Sequence, residues 1–445
     1  MTTNESSITN QIEKSLDVSW KEGVPASMML GIMDYYLIPY GLFLGATALD
    51  IGILIAIPNL IASISQLLSV RAVRVAGSRL RFLVRATVIQ AIALVPVAVL
   101  SFLHFKATIT ALVAFITMFK VLGNLIATAW GSLLSDYLPP EKRAHYFGWR
   151  SQVVGMAAVA SVGIAGSFLY LMNHRLPALG FALLFFVAAC LRGISSCLMS
   201  KMVDLPLHHE PGSDFTFLMF LRRFRQSNFV KYVLYVASIT FAVHLASPYF
   251  SVYMLRDLNF NYLGYMAVHL ASVVAGLVAF PVWGKHADLV GNARILKIAS
   301  LLIPVIPVLW LFSSNVIYLI GVEMFSGFVW GGFNLCTSNF IYDAVSPAKR
   351  VRCLGYFNLI NGVAIFSGAS LGGFLADRLP SFFGFPILTL FFLSGLIRFL
   401  AHFLLSGRFQ EVREKTRPIS SVELFFSVVG IRPITGLNRE WSAIE

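Results

Sequence analysis

Twelve apolar stretches, each close to the length of a bilayer-spanning helix, alternate with short polar loops along the chain. A spanning helix needs about 20 mostly apolar residues, and lipid cannot satisfy exposed backbone groups, so each stretch is expected to be helical. The sequence lacks the alternating pattern of a membrane β-barrel. We therefore predict an all-α membrane protein. The predicted spans are residues 26–47, 51–70, 82–103, 108–134, 148–172, 178–200, 232–255, 261–283, 295–313, 316–341, 354–376 and 385–406.

One loop type occurs twice and divides the chain into two parallel halves. Its copies run from Ser135 to Gly148 and from Tyr342 to Gly355. They share residues at a constant offset of 207: Asp136, Pro140, Lys142, Arg143 and Gly148 match Asp343, Pro347, Lys349, Arg350 and Gly355. Because this offset is close to half of the 445 residues, we predict two equivalent six-helix halves, the build expected of a secondary transporter.

These halves imply five segments. We predict an N-terminal tail (1–25), a first bundle (26–200), a central loop (201–231), a second bundle (232–406) and a C-terminal tail (407–445). The N-terminus has no short apolar core followed by a cleavage site, so we do not expect a secretory signal there.

Composition agrees with a membrane protein. Hydrophobic residues make up 57% of the chain, charged residues only 12%, and the mean hydropathy is +0.77. A soluble chain of this length could not bury so much apolar surface. The net charge of +13 could suggest nucleic acid, but the Lys and Arg residues lie in short loops between spans, with no zinc spacing or basic zipper. We expect no nucleic-acid partner.

The basic residues are unevenly divided between the two sets of loops. One set carries seventeen Lys and Arg residues and the other carries four. By the positive-inside rule the basic set is cytoplasmic. Both termini then lie in the cytoplasm, which requires an even number of crossings, and we predict a bacterial cytoplasmic (inner) membrane protein that acts as a monomer.

The central loop carries the pattern of a basic amphipathic helix. Phe217, Phe220, Leu221 and Phe224 share one helical face, with three arginines turned elsewhere, which predicts a helix lying on the inner leaflet. The alternative is a solvated linker. The exposed pair His208 and His209 and the four cysteines, without a C-x-x-C motif, do not predict a metal site, a disulfide or a cofactor.

The organisation resembles the major facilitator superfamily in four features: twelve probable helices in two halves, a long central loop, the repeated loop after helices 4 and 10, and the loop after helix 8. The last runs from Trp283 to Lys297 and is similar to the family's signature loop. Its first-half counterpart has Gly77 at the position of Gly291 but Arg74 at that of Asp288. The resemblance covers about residues 26–406 and extends to a bacterial branch to which no single substrate class is attached.

This resemblance implies a cytoplasmic gate. Asp288 can accept hydrogen bonds from Arg294 or from the N-terminal amides of a neighbouring helix, while two glycines permit tight turns around it. We expect equivalent clasps in the repeated loop, one within each copy. The alternative is that these charges only set topology, or form clamps that never move. The predicted gate residues are Gly284, Asp288, Gly291, Arg294, Asp136, Arg143, Asp343 and Arg350.

Charged residues inside the spans point to the transport path. Asp34 and Lys120 lie near the middle of helices 1 and 4, where a lipid-facing charge would cost roughly 2.5–3.5 kcal/mol. In the superfamily these helices line the central path, so we predict that the two residues pair and that protonation or substrate releases them. The alternatives are a static pair or two separately hydrogen-bonded groups.

Other polar residues of the spans are further candidates for substrate or coupling contacts. Tyr35, Pro39 and Tyr40 match His244, Pro248 and Tyr249 at an offset of 209. Some polar groups must serve as helix–helix contacts. Arg192 and Arg398, nearer the cytoplasm, are expected to snorkel or pack. The full predicted set is Asp34, Tyr35, Lys120, Asn124, His244, Glu323, Trp330, Asn334, Asn358 and Asn361.

The sequence thus favours a secondary active transporter of a small polar or amphipathic solute, working by alternating access and coupled to protons or to another gradient. The rival is a membrane sensor or assembly scaffold that retains the carrier fold without transport. No P-loop, H-E-x-x-H helix or G-x-S-x-G elbow is present, so we expect no ATPase or intramembrane enzyme. Substrate identity and direction do not follow from the residues.

Overall fold

The computed structural model describes residues 3–103, 107–138, 140–205 and 227–412, and every regular element in these ranges is helical. The first half contains α1 (Thr3–Phe43), α2 (Ala48–Gln66), α3 (Arg79–Val99), α4 (Thr108–Tyr137), α5 (Pro140–Asn173) and α6 (Pro177–Met199). The second contains α7 (Asn228–His244), α8 (Tyr262–Val290), α9 (Asn292–Leu302), α10 (Val316–Ala344), α11 (Pro347–Ala376) and α12 (Pro386–Leu405). The predicted all-α architecture is confirmed. The amphipathic helix predicted around Phe217 lies outside the described residues.

Eleven of these elements are long and apolar enough to cross a membrane, when α7 and α9 are counted with the short helices that continue them. The exception is α1, a 41-residue helix whose inner part carries Glu22 and Asp34. It begins at Thr3, so the residues predicted to form a tail are helical almost from the start. The reason is packing, because this first stretch lies against the beginning of α5, where the carbonyl of Ser19 accepts hydrogen bonds from Arg150.

Two spans that the sequence predicts as single helices are interrupted. α7 stops at His244 and resumes as a short helix, Ser247–Val252, while α9 stops at Leu302 and resumes as Val305–Leu309. Proline at 248, 304 and 307 explains the breaks, because proline has no backbone N–H to donate.

Arg398 of α12 joins the two breaks. Its guanidinium donates to the carbonyls of Val243 (3.4 Å) and Ile303 (3.3 Å), and its side chain is buried. The Ile303 carbonyl lacks a helical partner because the residue four positions on is Pro307. Arg398 therefore packs inside the protein and holds two kinked helices together, instead of snorkelling to the surface.

The buried core shows how the halves meet. The loops after α2, α4, α6, α8 and α10 form one face, called here the basic face, and the remaining loops form the opposite face. Towards the opposite face, one apolar cluster unites both halves and includes Tyr36 and Leu112 of the first with Tyr249 and Tyr265 of the second. Towards the basic face each half has its own separate cluster.

Helices α2 and α11 form the closest junction between the halves. At Gly52 an added Cβ would lie 2.6 Å from the carbonyl oxygen of Ala369 and 2.7 Å from the Tyr249 hydroxyl. Only glycine allows this approach of two backbones. At the basic end of the same junction, Asn358 donates to the side-chain oxygen of Gln66 at 2.9 Å.

Candidate functional site

Asp34 and Lys120 form an ion pair between α1 and α4, with Nζ and Oδ1 3.1 Å apart. The side chains are 52% and 30% exposed, respectively, so neither is locked in a dry core. Lys120 also lines a cavity of about 310 Å³ within the first half, which places the pair at the edge of that space.

That cavity contains a charged network which the sequence did not suggest. Glu22 is almost fully buried and accepts hydrogen bonds from the Trp130 indole (2.9 Å), the Ser195 hydroxyl (3.0 Å) and Arg150 (3.3 Å). The Arg150 guanidinium lies over the Trp130 ring, 4.2 Å from its centroid. Four helices, α1, α4, α5 and α6, thus meet at one carboxylate.

Arg192 completes the network from α6. Its Nε donates to the side-chain oxygen of Gln90 at 2.7 Å and its Nη1 to the Ser195 hydroxyl at 3.3 Å, and the residue is 6% exposed. Arg192 is therefore buried in the protein, where snorkelling to water is excluded. A buried arginine in a span requires counter-charge, and that requirement is the signal that could have directed attention to Glu22.

A second acid inside a span, half-buried, lies in the other half. The Glu323 carboxyl group of α10 lies near the hydroxyls of Ser272 and Ser326 and near the indole of Trp310, whose Nε1 has no hydrogen-bond partner among the described residues. No Lys, Arg or His in the described part of the chain lies at ion-pair distance from this carboxyl group.

Tyr35 connects the two regions. It lies within electrostatic range of both Asp34 and Glu323, and its ring meets His269 of α8 edge-on, with centroids 5.5 Å apart. The Tyr35 carbonyl accepts a hydrogen bond from Tyr265 across the junction of the halves at 2.7 Å. The predicted residues of α1 and α10 are thus brought to one region, and His269 and Tyr265 join them without having been predicted.

The remaining predicted substrate residues are dispersed. Asn124 lines the same cavity as Lys120. His244 binds the carbonyl of Thr240 in its own helix at 2.9 Å, and Asn361 accepts from the Thr240 hydroxyl at 2.9 Å, so both serve helix packing. Asn358 bridges the halves to Gln66, as described above. Trp330 packs against Phe333, and Asn334 is exposed.

The predicted gate residues lie at the basic face, but with other partners than expected. Asp136 pairs with Arg79 of α3 at 2.6 Å, and the side chain of Arg143 lies outside the described residues. Asp343 accepts a hydrogen bond from the side-chain amide of Asn292 at 2.7 Å. Arg350 donates to the Tyr342 carbonyl at 3.1 Å, so the expected clasp with Asp343 is absent from this structure. In both halves the Asp thus binds the start of the third helix of its half.

In the signature loop, Asp288 is exposed near the end of α8 and Arg294 is half-buried near the start of α9. Gly284 lies inside α8, where an added Cβ would meet only Leu335, at 3.8 Å. Gly291 ends α8 with a φ of +89°, a conformation that favours glycine. The predicted turn therefore occurs at Gly291 and not at Gly284.

An unpredicted pair of acids reinforces both halves at the basic face. Asp204, which follows α6, accepts from the Ser78 hydroxyl and from the backbone amide of Leu80 at the start of α3. Glu411, which follows α12, accepts from the backbone amide of Ala293 at the start of α9 at 2.7 Å. These acids differ by the same 207 positions as the repeated loop. Each carboxylate stabilises a helix N-terminus by charge and hydrogen bonding.

Comparisons with known proteins agree with this architecture. The sequence is 29% identical over 167 residues to the multi-drug resistance efflux pump PmrA of Streptococcus pneumoniae serotype 4. The aligned segment covers 37% of this chain and only 40% of the pump. The nucleoside transporter NupG shares the fold over 90% of this chain and 100% of its own, at a TM-score of 0.66 and 13% identity. A bacterial homologue of the human lysosomal transporter Spinster shares the fold over 92% of this chain and 99% of its own, at a TM-score of 0.68 and 12% identity.

The family assignment rests on the sequence profile of the Major Facilitator Superfamily, which matches residues 24–369 and 232–442. These matches extend over both six-helix halves, as the repeated loop and the signature loop require. The chain is therefore an integral membrane transporter and belongs to the major facilitator superfamily.

Proposed function

We propose that this protein is a secondary active transporter that moves a small polar or amphipathic solute across the bacterial cytoplasmic membrane by alternating access. The observation that carries the proposal is the asymmetry of the core, which is continuous between the halves on one side only. Two bodies joined in this way can rock about their junction and expose a central site to either side in turn.

The basic face is assigned to the cytoplasm because it carries most of the loop arginines and lysines. With that assignment the united core closes the external side, and the separate cores leave the cytoplasmic side open. The conformation is then inward-facing. The five segments predicted from the sequence, with the central loop linking two rocking bundles, fit this mechanism.

Asp34 and Lys120 are suited to a switching role because their pair is weak. Exposed ion pairs contribute about 0–1 kcal/mol, so a proton or a charged solute can compete for either partner. Separation of the pair would change the charge at the edge of the cavity and shift the balance between the two conformations.

Glu323 is the proposed proton-carrying group. Its carboxyl group contacts hydroxyls and has no basic partner within the described ranges, so it can exist as a neutral acid. Tyr35 lies within reach of both Glu323 and Asp34, which gives the proton site a physical connection to the ion pair across the halves.

Flux measurements in proteoliposomes test this function. The solutes would be uridine, ethidium and 1-naphthylacetate, each with and without an imposed pH gradient. We expect Glu323→Gln to abolish the gradient dependence, and Asp34→Asn and Lys120→Ala to reduce flux at least tenfold. Asp50→Asn is the control, because Asp50 caps α2 at the opposite face and is remote from the cavity.

Unaltered flux in all three variants would refute the proposed roles. Absence of flux for every solute, from folded protein, would instead favour the sensor or scaffold, which retains the fold and does not need turnover.

A further inference from the structure

The cavity around Glu22 carries more positive than negative charge. Among the described residues that line it, Lys120, Arg150 and Arg192 are cationic and Glu22 is the only carboxylate. At the rim of the cavity, Asp34 pairs with Lys120 and balances its charge. Three cations against two carboxylates leave one positive charge without a counter-charge.

Arg192 is the cation with the weakest pairing, because Glu22 lies within electrostatic range of both arginines but forms its direct ion pair with Arg150. Glu22 already binds Arg150 directly, while Arg192 is hydrogen-bonded only to the neutral groups of Gln90 and Ser195. No residue that the structure describes forms a hydrogen bond to its Nη2. A buried guanidinium with a spare donor is costly in a membrane protein unless an anion completes it.

Most of the remaining wall is apolar, and Gln90 and Asn124 are its neutral polar residues. Met29, Leu30, Phe119, Ile126 and Met199 face the cavity beside the charged groups. Its volume of about 310 Å³ equals the space of roughly ten water molecules, enough for an aromatic ring system with a short side chain. A fully hydrated inorganic ion would not use these walls.

We propose that this cavity is the binding site for an organic monoanion, a carboxylate with an apolar or aromatic body, whose charge is received by Arg192. This inference rests on the proposed transport function and names its substrate class. The carboxylate would bind the free edge of the Arg192 guanidinium, and the apolar body would lie among the methionines and Phe119. Lys120 at the rim would sense the arriving negative charge and release Asp34.

Binding to the purified full-length protein in nanodiscs tests the inference without requiring turnover. The probes are 1-naphthylacetate, its neutral amide 1-naphthylacetamide and the cation 2-(1-naphthyl)ethylamine, compared by calorimetry. These share one ring system and differ in charge. We expect the carboxylate to bind at least tenfold more tightly than the amide, and the amine not to bind better than the amide.

Variants then locate the charge. Arg192→Gln should remove the preference for the carboxylate, and Arg192→Lys, which keeps the charge but loses the planar fork, should retain a weaker preference. Arg378→Gln is the matched control, because among the described residues the Arg378 side chain binds its own helix turn, at Phe374, and it belongs to the second half, outside the lining of the cavity. If Arg192→Gln fails to fold, the Arg192→Lys variant and the comparison of the three probes still test the anion site.

Equal binding of the amide and the carboxylate, or a preference that survives in Arg192→Gln, would overturn the inference. Binding of chloride, added as its sodium salt, as tightly as 1-naphthylacetate would overturn the requirement for an apolar body. If the protein prefers the carboxylate but transports none of the solutes, the proposed transport function is overturned and the anion site stands. If it transports uridine or ethidium but does not prefer the carboxylate, only the anion site is overturned.

Discussion

The tight junction at Gly52 makes a quantitative prediction about the conformational balance. In Gly52→Ala the new methyl group would lie 2.6 Å from the carbonyl oxygen of Ala369, which also accepts the hydrogen bond of the Tyr249 hydroxyl at 2.7 Å. All of the atoms close to this methyl group belong to the second half. The strain therefore falls on the closed arrangement of the opposite face and not on either half alone.

The size of the effect follows from the geometry. An ordinary Cβ contact is 3.4–4 Å, so backbone must move, and overpacking of this kind costs about 1–3 kcal/mol. If the strain is relieved when the halves separate at this face, the ratio of closed to open conformations falls by about 5- to 150-fold. We expect Gly52→Ala to populate the outward-open state.

Spin labels across the mouth measure this shift. His174 of the first half and Phe260 of the second line a cavity of about 670 Å³ at the opposite face, and labels there report the opening by pulsed electron resonance. The exposed Cys190 and Cys197 would first be changed to alanine. Gly321→Ala is the control, because an added Cβ at this helical glycine meets nothing within 4 Å. A distance distribution in Gly52→Ala that matches the control would refute the reasoning.

Three further predictions concern stability, each measured as the loss of folded protein on heating in detergent. Glu22→Gln removes the buried carboxylate that binds the largely covered Arg150 and should cost about 3–5 kcal/mol, whereas Asp34→Asn, at an exposed pair, should cost under ~1 kcal/mol. Equal losses would contradict the difference in burial. Gly291→Ala would place a Cβ at a φ of +89° and against the Glu411 side chain, so we expect a loss of about 1–3 kcal/mol, and an unchanged melting temperature would disprove the tight turn. Asp204→Ala and Glu411→Ala should each cost about 0.5–2 kcal/mol through the lost helix cap, and an effect in only one half would show that the caps are not equivalent.

Sequence periodicity predicted the helices well where one apolar run forms one helix. The fourth span, predicted as 108–134, is observed as α4 from Thr108 to Tyr137. Pattern alone failed at α1, because the residues before 26 are polar and gain their helical structure by packing on α5. It also failed at α7 and α9, where proline interrupts helices whose apolar runs continue.

Partners at the basic face could not be read from spacing. Asp136 and Arg143 are near in sequence, yet Asp136 pairs with Arg79, which precedes it by 57 positions. A charge binds whichever opposite charge the packing of helices brings close, and α3 lies against α4 only in the assembled half. The repeat at 207 did identify equivalent positions, and the caps at Asp204 and Glu411 extend it.

The chain by itself determined that the protein crosses a bilayer as helices, that two matched halves exist, and that Asp34 and Lys120 need shelter from lipid. These properties depend on local apolar length and on the cost of charge in hydrocarbon, and both are written residue by residue. The tertiary structure alone decided that Glu22, Arg150 and Arg192 share one cavity and that the apolar cores of the two halves merge towards one face. Such contacts depend on how distant helices pack, because burial and pairing of a charge are properties of its three-dimensional neighbours.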